Sequence, residues 1–202
     1  RLNTDGSYDA SFDGPSGTGN GRFLLPIGTS HDYVVSSVLQ PDGKLLLTGY
    51  CYNGANFDVC AARLNADGSY DASFDGPSGT GNGRFVLPIG TGDDNAESSV
   101  LQPDGKLLLT GGCYNGANFN FCAARLNTAG SYDATFDGPS GTGDGRFLLP
   151  IGPNFSYASS SVLQPDGKLL LTGYCSNGAN QNFCVARLNM DGSYDATFDG
   201  PS

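Results

Sequence analysis

The chain has 202 residues, among them 31 glycines, 11 prolines, one methionine and no tryptophan, with 15% charged residues and a net charge of −10. That balance argues against nucleic acid and against an anionic membrane surface, since both need clustered Lys or Arg and the ten basic residues here are scattered. The acids are almost all Asp, which with Asn, Gly and Ser favours turns over helix, and no run reaches the roughly 18 apolar residues of a membrane-spanning helix.

The first 16 residues, "RLNTDGSYDASFDGPS", are a polar, turn-rich segment, and they recur as the last 16, "RLNMDGSYDATFDGPS". "RLN" begins at Arg1, Arg63, Arg125 and Arg187, a period of 62 with no insertion or deletion. Residues 1–62 and 63–124 differ at ten positions. The chain therefore divides into 1–16, the end of a preceding repeat, followed by repeats at 17–78, 79–140 and 141–202. It starts at Arg1 and not at Met, as expected of a processed or excised piece of a longer protein.

Within one period the Gly-rich connector "GPSGTGNG" comes first. It lacks the Lys-Ser/Thr and the following helix of a phosphate-binding loop and reads as a linker between units. "RFLLPIG" (22–28) is the first expected strand and "VVSSVLQ" (34–40) the second. The Pro-Asp-Gly at 41–43 fits a three-residue hairpin loop with Gly in the left-handed position, which pairs Gln40 with Lys44 and Leu39 with Leu45. In the third strand, "KLLLTGYCY" (44–52), Leu45, Leu46 and Leu47 do not alternate, so both faces are expected to be buried. "FDVCAARLN" (57–65) is the fourth. Four strands per fixed period of about 60 predict an all-β fold of tandem four-stranded antiparallel blades, propeller-like, with an open stack of blades or a β-solenoid as the alternative. Three blades are too few for a ring, since propellers typically have four to eight; a longer array or end-to-end association is expected.

Six cysteines occur only as pairs nine residues apart: Cys51–Cys60, Cys113–Cys122 and Cys175–Cys184. If directly opposed across a hairpin, Cys51 and Cys60 sum to 111, centring the turn between Ala55 and Asn56 and closing a four-residue loop between Asn53 and Asp58. Opposed positions approach closely enough for a disulfide. Zinc is the rival reading, but no Cys-x-x-Cys occurs and the one histidine, His31, has no counterpart in the other copies. Three disulfides imply an oxidising compartment and an extracellular or cell-surface location.

At this point the motifs "QPDGKLLLTG" and "ARLNADGSYDASFDG" resemble the bacterial delta-60 repeat across all three periods. The resemblance implies a propeller-forming repeat found in large secreted or surface proteins, with no catalytic motif to carry over. The cysteine pair and the Gly-rich connector depart from its usual pattern.

Candidate chemistry is sparse. Asp67, Ser69, Asp71 and Asp75, with Asn65, space oxygens as a calcium loop does, but Asp-Gly turns use the same residues, and Ala129 replaces the acid in the next copy. Structural turns are the favoured reading, with no cofactor expected. A nucleophile, base and orienting group in one cleft are not discernible, so an enzyme is not expected. The copies differ most at 29–36, 91–98 and 153–160. These segments are expected as loops on one rim, with His31, Tyr33, Asp93, Asp94, Glu97, Phe155 and Tyr157 as contact residues. Asn154 opens a glycosylation sequon, "NFS". The expected function is a non-enzymatic extracellular structural or adhesive protein whose partner is itself, as a homo-oligomer, a filament or further repeats. A lectin-like module binding extracellular glycans through the rim is the alternative.

Overall fold

The computed structural model describes residues 1–141 and 143–200; Thr142, Pro201 and Ser202, in the third expected repeat, lie outside them. Among the described residues all regular structure is β. The first sheet holds β1 (Asp32–Leu39), β2 (Leu45–Tyr52), β3 (Phe57–Leu64) and β4 (Arg84–Leu87). The second repeats it with β5 (Asp94–Leu101), β6 (Leu107–Tyr114), β7 (Phe119–Leu126) and β8 (Arg146–Leu149). The third holds β9 (Ser156–Leu163), β10 (Leu169–Ser176) and β11 (Gln181–Leu188). Each is an antiparallel meander in strand order.

The Pro-Asp-Gly hairpin forms as expected. Leu39 pairs with Leu45, the Gln40 amide donates to Lys44 O at 2.8 Å, and Gly43 has φ 83°. Past it a β-bulge at Val34/Ser36 shifts the register, and β5 carries the same bulge.

The expected strand at 22–28 needs correction. Its equivalents, β4 and β8, do not open a sheet; they complete the preceding one. β4 pairs with β3 (Val59 with Leu87, Ala61 with Phe85) and β8 with β7 (Phe121 with Leu149, Ala123 with Phe147). Residues 22–25 are not a strand, because no third strand precedes them to supply the ladder. A blade thus draws three strands from one period and its fourth from the next, so the periods interlock through backbone hydrogen bonds.

The cysteine register also needs correction. All three disulfides form, but Cys51 faces Asp58 and Cys60 faces Gly49. The hairpin sum is 109, not 111, and Tyr52 pairs with Phe57 around a loop of Asn53 to Asn56. Asn53 lies within that loop, where its Oδ1 accepts from the Ala55 and Asn56 amides at 2.8 and 3.1 Å. The loop keeps its four residues but is shifted by one position, and these local bonds favour the shifted turn. The disulfide then joins diagonal neighbours with Cα atoms 5.8 Å apart, well within bridging range.

The core explains the leucine runs. One apolar cluster joins Leu46, Val59, Ala61, Phe85 and Leu87 of the first sheet to Ala96, Leu107, Leu109, Ala124 and Leu126 of the second. The other joins Leu108, Phe121, Ala123, Phe147 and Leu149 of the second to Ala158, Leu169, Leu171 and Leu188 of the third. Apart from Ala124 in the first and Cys175 in the second, each cluster is the other displaced by one period. The second sheet is covered on both faces, and Leu107, Leu108 and Leu109 are each 1% exposed. The first and third sheets are less fully covered, and of the three middle strands β6 alone is buried throughout, with β2 and β10 mixing buried and partly exposed residues. The described sheets form an open row.

The Arg-Leu-Asn and Asp-Gly motifs tie the row together. Arg63 donates from Nε to Asp71 at 2.7 Å, from NH2 to Ser73 at 3.0 Å and from NH1 to the Thr128 carbonyl of the next period, with its guanidinium 4.6 Å over the Phe74 ring. Arg125 repeats this with Asp133, Thr135, the Met190 carbonyl and Phe136. Lys44 and Lys106 close on the same carboxylates at 2.9 Å. Burial raises the Asp71 and Asp133 carboxyls, but the bonds from Lys, from Ser73 or Thr135 and from Arg outweigh it and hold both well below the ordinary carboxylate value.

Truncation of Leu108 to Ala is expected to cost about 2–5 kcal/mol, read from denaturant unfolding. Leu170, the same position one period on, lies on the outer face of the third sheet and is partly exposed. Its truncation is expected to cost clearly less at protein concentrations where the chain is monomeric; equal losses would mean that both faces are covered alike.

Candidate functional site

Each sheet of the row carries one variable segment, at the point where its first strand begins. These strands neighbour one another: Ser99 donates to Ser36 at 2.8 Å and Ser161 to Ser98 at 2.9 Å. The segments are only partly loop. Asp32, Asp94 and Ser156 already lie in β1, β5 and β9, so the expected rim loops run directly into strands. Their residues fall into equivalent sets one period apart: His31, Asp93 and Phe155; Asp32, Asp94 and Ser156; Tyr33, Asn95 and Tyr157.

Position by position, most of these groups serve the joints between sheets. Asp93 Oδ1 accepts the Phe57 amide at 2.9 Å, and Asn56 Nδ2 donates to Gly92 O, so the hairpin tip of the first sheet docks on the second. At the next joint Ser156 Oγ accepts the Phe121 amide at 3.1 Å, and Phe155 meets Phe119 with ring centroids 6.2 Å apart. Asp94 is fully buried and accepts the Ile89 and Gly90 amides at 2.7 and 2.8 Å. Burial pushes its carboxyl up to about 6 against those two bonds.

Tyr157 crosses the second joint. Its hydroxyl donates to Glu97 at 2.6 Å and accepts from Asn95 at 3.1 Å; burial, then the Glu97 carboxylate, raises its pKa. The ring lies over Gly112, where a Cβ would come within 2.2 Å of it. The equivalents of Gly112 are Tyr50 and Tyr174. Tyr157 thus reaches onto the one copy of this position that is glycine, and its own counterpart in the preceding copy is the smaller Asn95. Both substitutions stand in the sequence, and their coupling is a signal that reading each difference alone passes over.

The residues left open belong to the first sheet. His31 is exposed, with its Nδ1 2.8 Å from Ser30 Oγ, and Tyr33 is 45% exposed, packed on Tyr50 and Phe57 at 5.1 and 5.9 Å. With Tyr52 they line a shallow depression. Chemically it is an aromatic shelf beside one imidazole.

The calcium candidates point apart. Asp67 Oδ1 accepts from the amide and hydroxyl of Ser69 at 2.9 and 2.7 Å, an Asx turn. Asp71 is committed to Arg63, Lys44 and Ser73. The Asp75 amide donates to the Ala129 carbonyl of the following period at 2.9 Å. Among the described residues no three His, Cys, Asp or Glu side chains converge as a metal cage.

Residues 40–74, 102–136 and 164–198 match the family described as Domain of unknown function (DUF5122) beta-propeller. The chain belongs to that family. The matched stretches run from the Pro-Asp-Gly hairpin through the second and third strands to the Asp-Gly turn and its phenylalanine, the part of each period that the Arg–Asp–Lys network joins together. The variable first strands and the borrowed fourth strands fall outside them. No curated protein matches the chain.

Two outcomes follow. Gly112→Tyr, the residue of the first copy, is expected to destabilise by roughly 1–3 kcal/mol through overpacking. Tyr157→Asn in the same chain should recover much of that loss, a coupling that a double-mutant cycle measures. Asp94 binds its proton more tightly folded than unfolded. Its contribution to stability is therefore full below its ordinary value of 3.8 and lost as pH rises through about 6. Asp94→Ser, the residue of the third copy, should flatten unfolding free energy across that window, measured against wild type at each pH.

Proposed function

We propose that the protein is a non-enzymatic, extracellular structural or adhesive repeat protein whose row of sheets is continued end to end, by other copies or by further repeats in a longer surface array. The observation that carries this reading is the use made of the variable polar residues. Of the residues best suited to hold a ligand, Asp93, Glu97 and Tyr157 are engaged in joints between sheets, and Asp94 is committed to the amides of the segment that leads into β5. Apolar surface, in contrast, stands open at both ends. Val162, Phe183 and Val185 are 57%, 100% and 46% exposed on the third sheet, and Val34 and Leu39 are 59% and 71% exposed on the first. Patches of this kind mark association surfaces, and a heterologous interface that does not close grows a filament. One disulfide per hairpin supports an oxidising compartment and stiffens each unit by about 3 kcal/mol in the chain-entropy model.

The aromatic shelf of Tyr33, Tyr52 and Phe57 beside His31 favours a second reading, a carbohydrate-binding module, because sugars stack on exposed rings. Negative-stain electron microscopy separates the two. The structural reading expects end-to-end particles or fibres that lengthen with concentration; discrete particles of constant size would sink it. Saturable signals on a glycan array, lost in Tyr33→Ala, would promote the second.

A further inference from the structure

We propose that Asn115 is a site of spontaneous deamidation, at which the Gly116 amide attacks the Asn115 carboxamide and converts it to aspartate and isoaspartate.

An Asn-Gly step is open to this reaction because glycine has no side chain to shield its amide nitrogen. The chain has five: Asn20-Gly21, Asn53-Gly54, Asn82-Gly83, Asn115-Gly116 and Asn177-Gly178. All five asparagines are exposed to water. Their neighbours restrain four of them.

In the Gly-rich connectors the nucleophile is tied down. The Gly21 amide donates to Phe12 O at 2.9 Å and the Gly83 amide to Phe74 O at 3.0 Å. Both glycines are buried, so attack there would break an internal backbone bond. The other three steps lie in one hairpin loop, Asn-Gly-Ala-Asn, repeated at 53–56, 115–118 and 177–180. In the third copy the Gly178 amide donates to Ser176 Oγ at 3.1 Å. Tyr52 and Tyr114 stand at that position in the other copies, so no hydroxyl reaches the amide from there. In the first copy the nucleophile is free, but the carboxamide is held. Asn53 Nδ2 donates to Asp58 Oδ2 at 2.6 Å and to Asn56 Oδ1 at 3.1 Å. Both bonds must break as the nitrogen leaves, and the new carboxylate would face the buried carboxyl of Asp58.

Asn115 has neither restraint. Asn120 replaces the acid of the first copy and turns its own Nδ2 to Asn118 O at 3.1 Å. Among the described residues neither the Gly116 amide nor Asn115 Nδ2 has a hydrogen-bond partner. The loop supplies activation as well. Asn115 Oδ1 accepts the amides of Ala117 and Asn118, both at 2.8 Å. Two donors on that oxygen stabilise the negative charge that develops when Cγ is attacked, as an oxyanion hole does. The Gly116 nitrogen loses its proton and bonds to Cγ, the Cγ–Nδ2 bond breaks, and ammonia leaves with that proton. Water then opens the cyclic imide. Opening at Cγ gives aspartate; opening at the main-chain carbonyl gives isoaspartate, with one more carbon in the backbone of the loop. Either product adds a negative charge at the hairpin tip of the second sheet.

Peptide mapping by mass spectrometry, on the folded chain aged at neutral pH, follows all five steps in one sample. Asn115 is expected to convert first, about tenfold faster than Asn53, the weight of one hydrogen bond to a carboxylate. In urea the three loop copies should converge to nearly one rate. Asp58→Asn, the residue of the second copy, should bring Asn53 close to the rate of Asn115. Ser176→Tyr, the residue of the first two copies, should do the same for Asn177, and circular dichroism checks that both variants keep their sheets. An Asn115 that stays intact, a folded chain in which Asn53 or Asn177 converts as fast, or a spread of rates that persists in urea overturns the proposal. So do folded variants whose rates match those of the wild type.

Discussion

A strand with leucine on both faces has to be covered on both faces, and that constraint organises the molecule. Leu107, Leu108 and Leu109 point alternately to the two sides of the second sheet, and each side meets the neighbouring sheet through the same residue set displaced by 62. No single sheet can bury both faces, so the unit of stability is the joint between sheets. Two further devices reinforce it. The fourth strand of each blade comes from the next period, and the buried Arg of each period donates to a carbonyl in the next.

Much of this was legible in the sequence. The period, the Pro-Asp-Gly hairpin with its pairs, the apolar run of the middle strand and the cysteine partners follow from local rules about turns and alternation. The blade boundary was not, because a strictly periodic sequence fits two phases equally well. Residues 84–87 can open their own sheet or close the one before, and only contact between periods chooses. The cysteine register was missed by two residues because the index-sum rule assumes opposed partners, whereas the Asn53 side chain favours a loop placed one position earlier and the bond spans a diagonal. The bulge at Val34/Ser36 has no Gly or Pro on its own strand; its one signal is Gly49 on the facing strand, where a Cβ would meet Tyr33 O at 1.8 Å.

The candidate site shows a similar division. That the variable residues cluster is plain from comparing the copies. That they serve the joints is not, because their partners lie far off in the chain, 60 residues from Tyr157 to Glu97 and 36 from Asp93 to Phe57. The Tyr157 and Gly112 pair illustrates the principle. Near-identical repeats would make interchangeable joints, and exchanging bulk across one joint makes it differ from its neighbour. Variation that looks like diversification toward outside partners is, at these positions, adjustment between the repeats themselves.

Residue-resolved amide hydrogen exchange on the dilute monomer tests the central claim most directly, because the three sheets carry nearly the same sequence in three different degrees of cover. Stacking through shared faces predicts that amides of β6 and β7 exchange slowest, close to the global unfolding limit. Their counterparts in β10 and β11 should exchange measurably faster, most of all along the free edge of β11. Equal protection at equivalent positions of all three sheets would show that each period is stable on its own and would contradict the account.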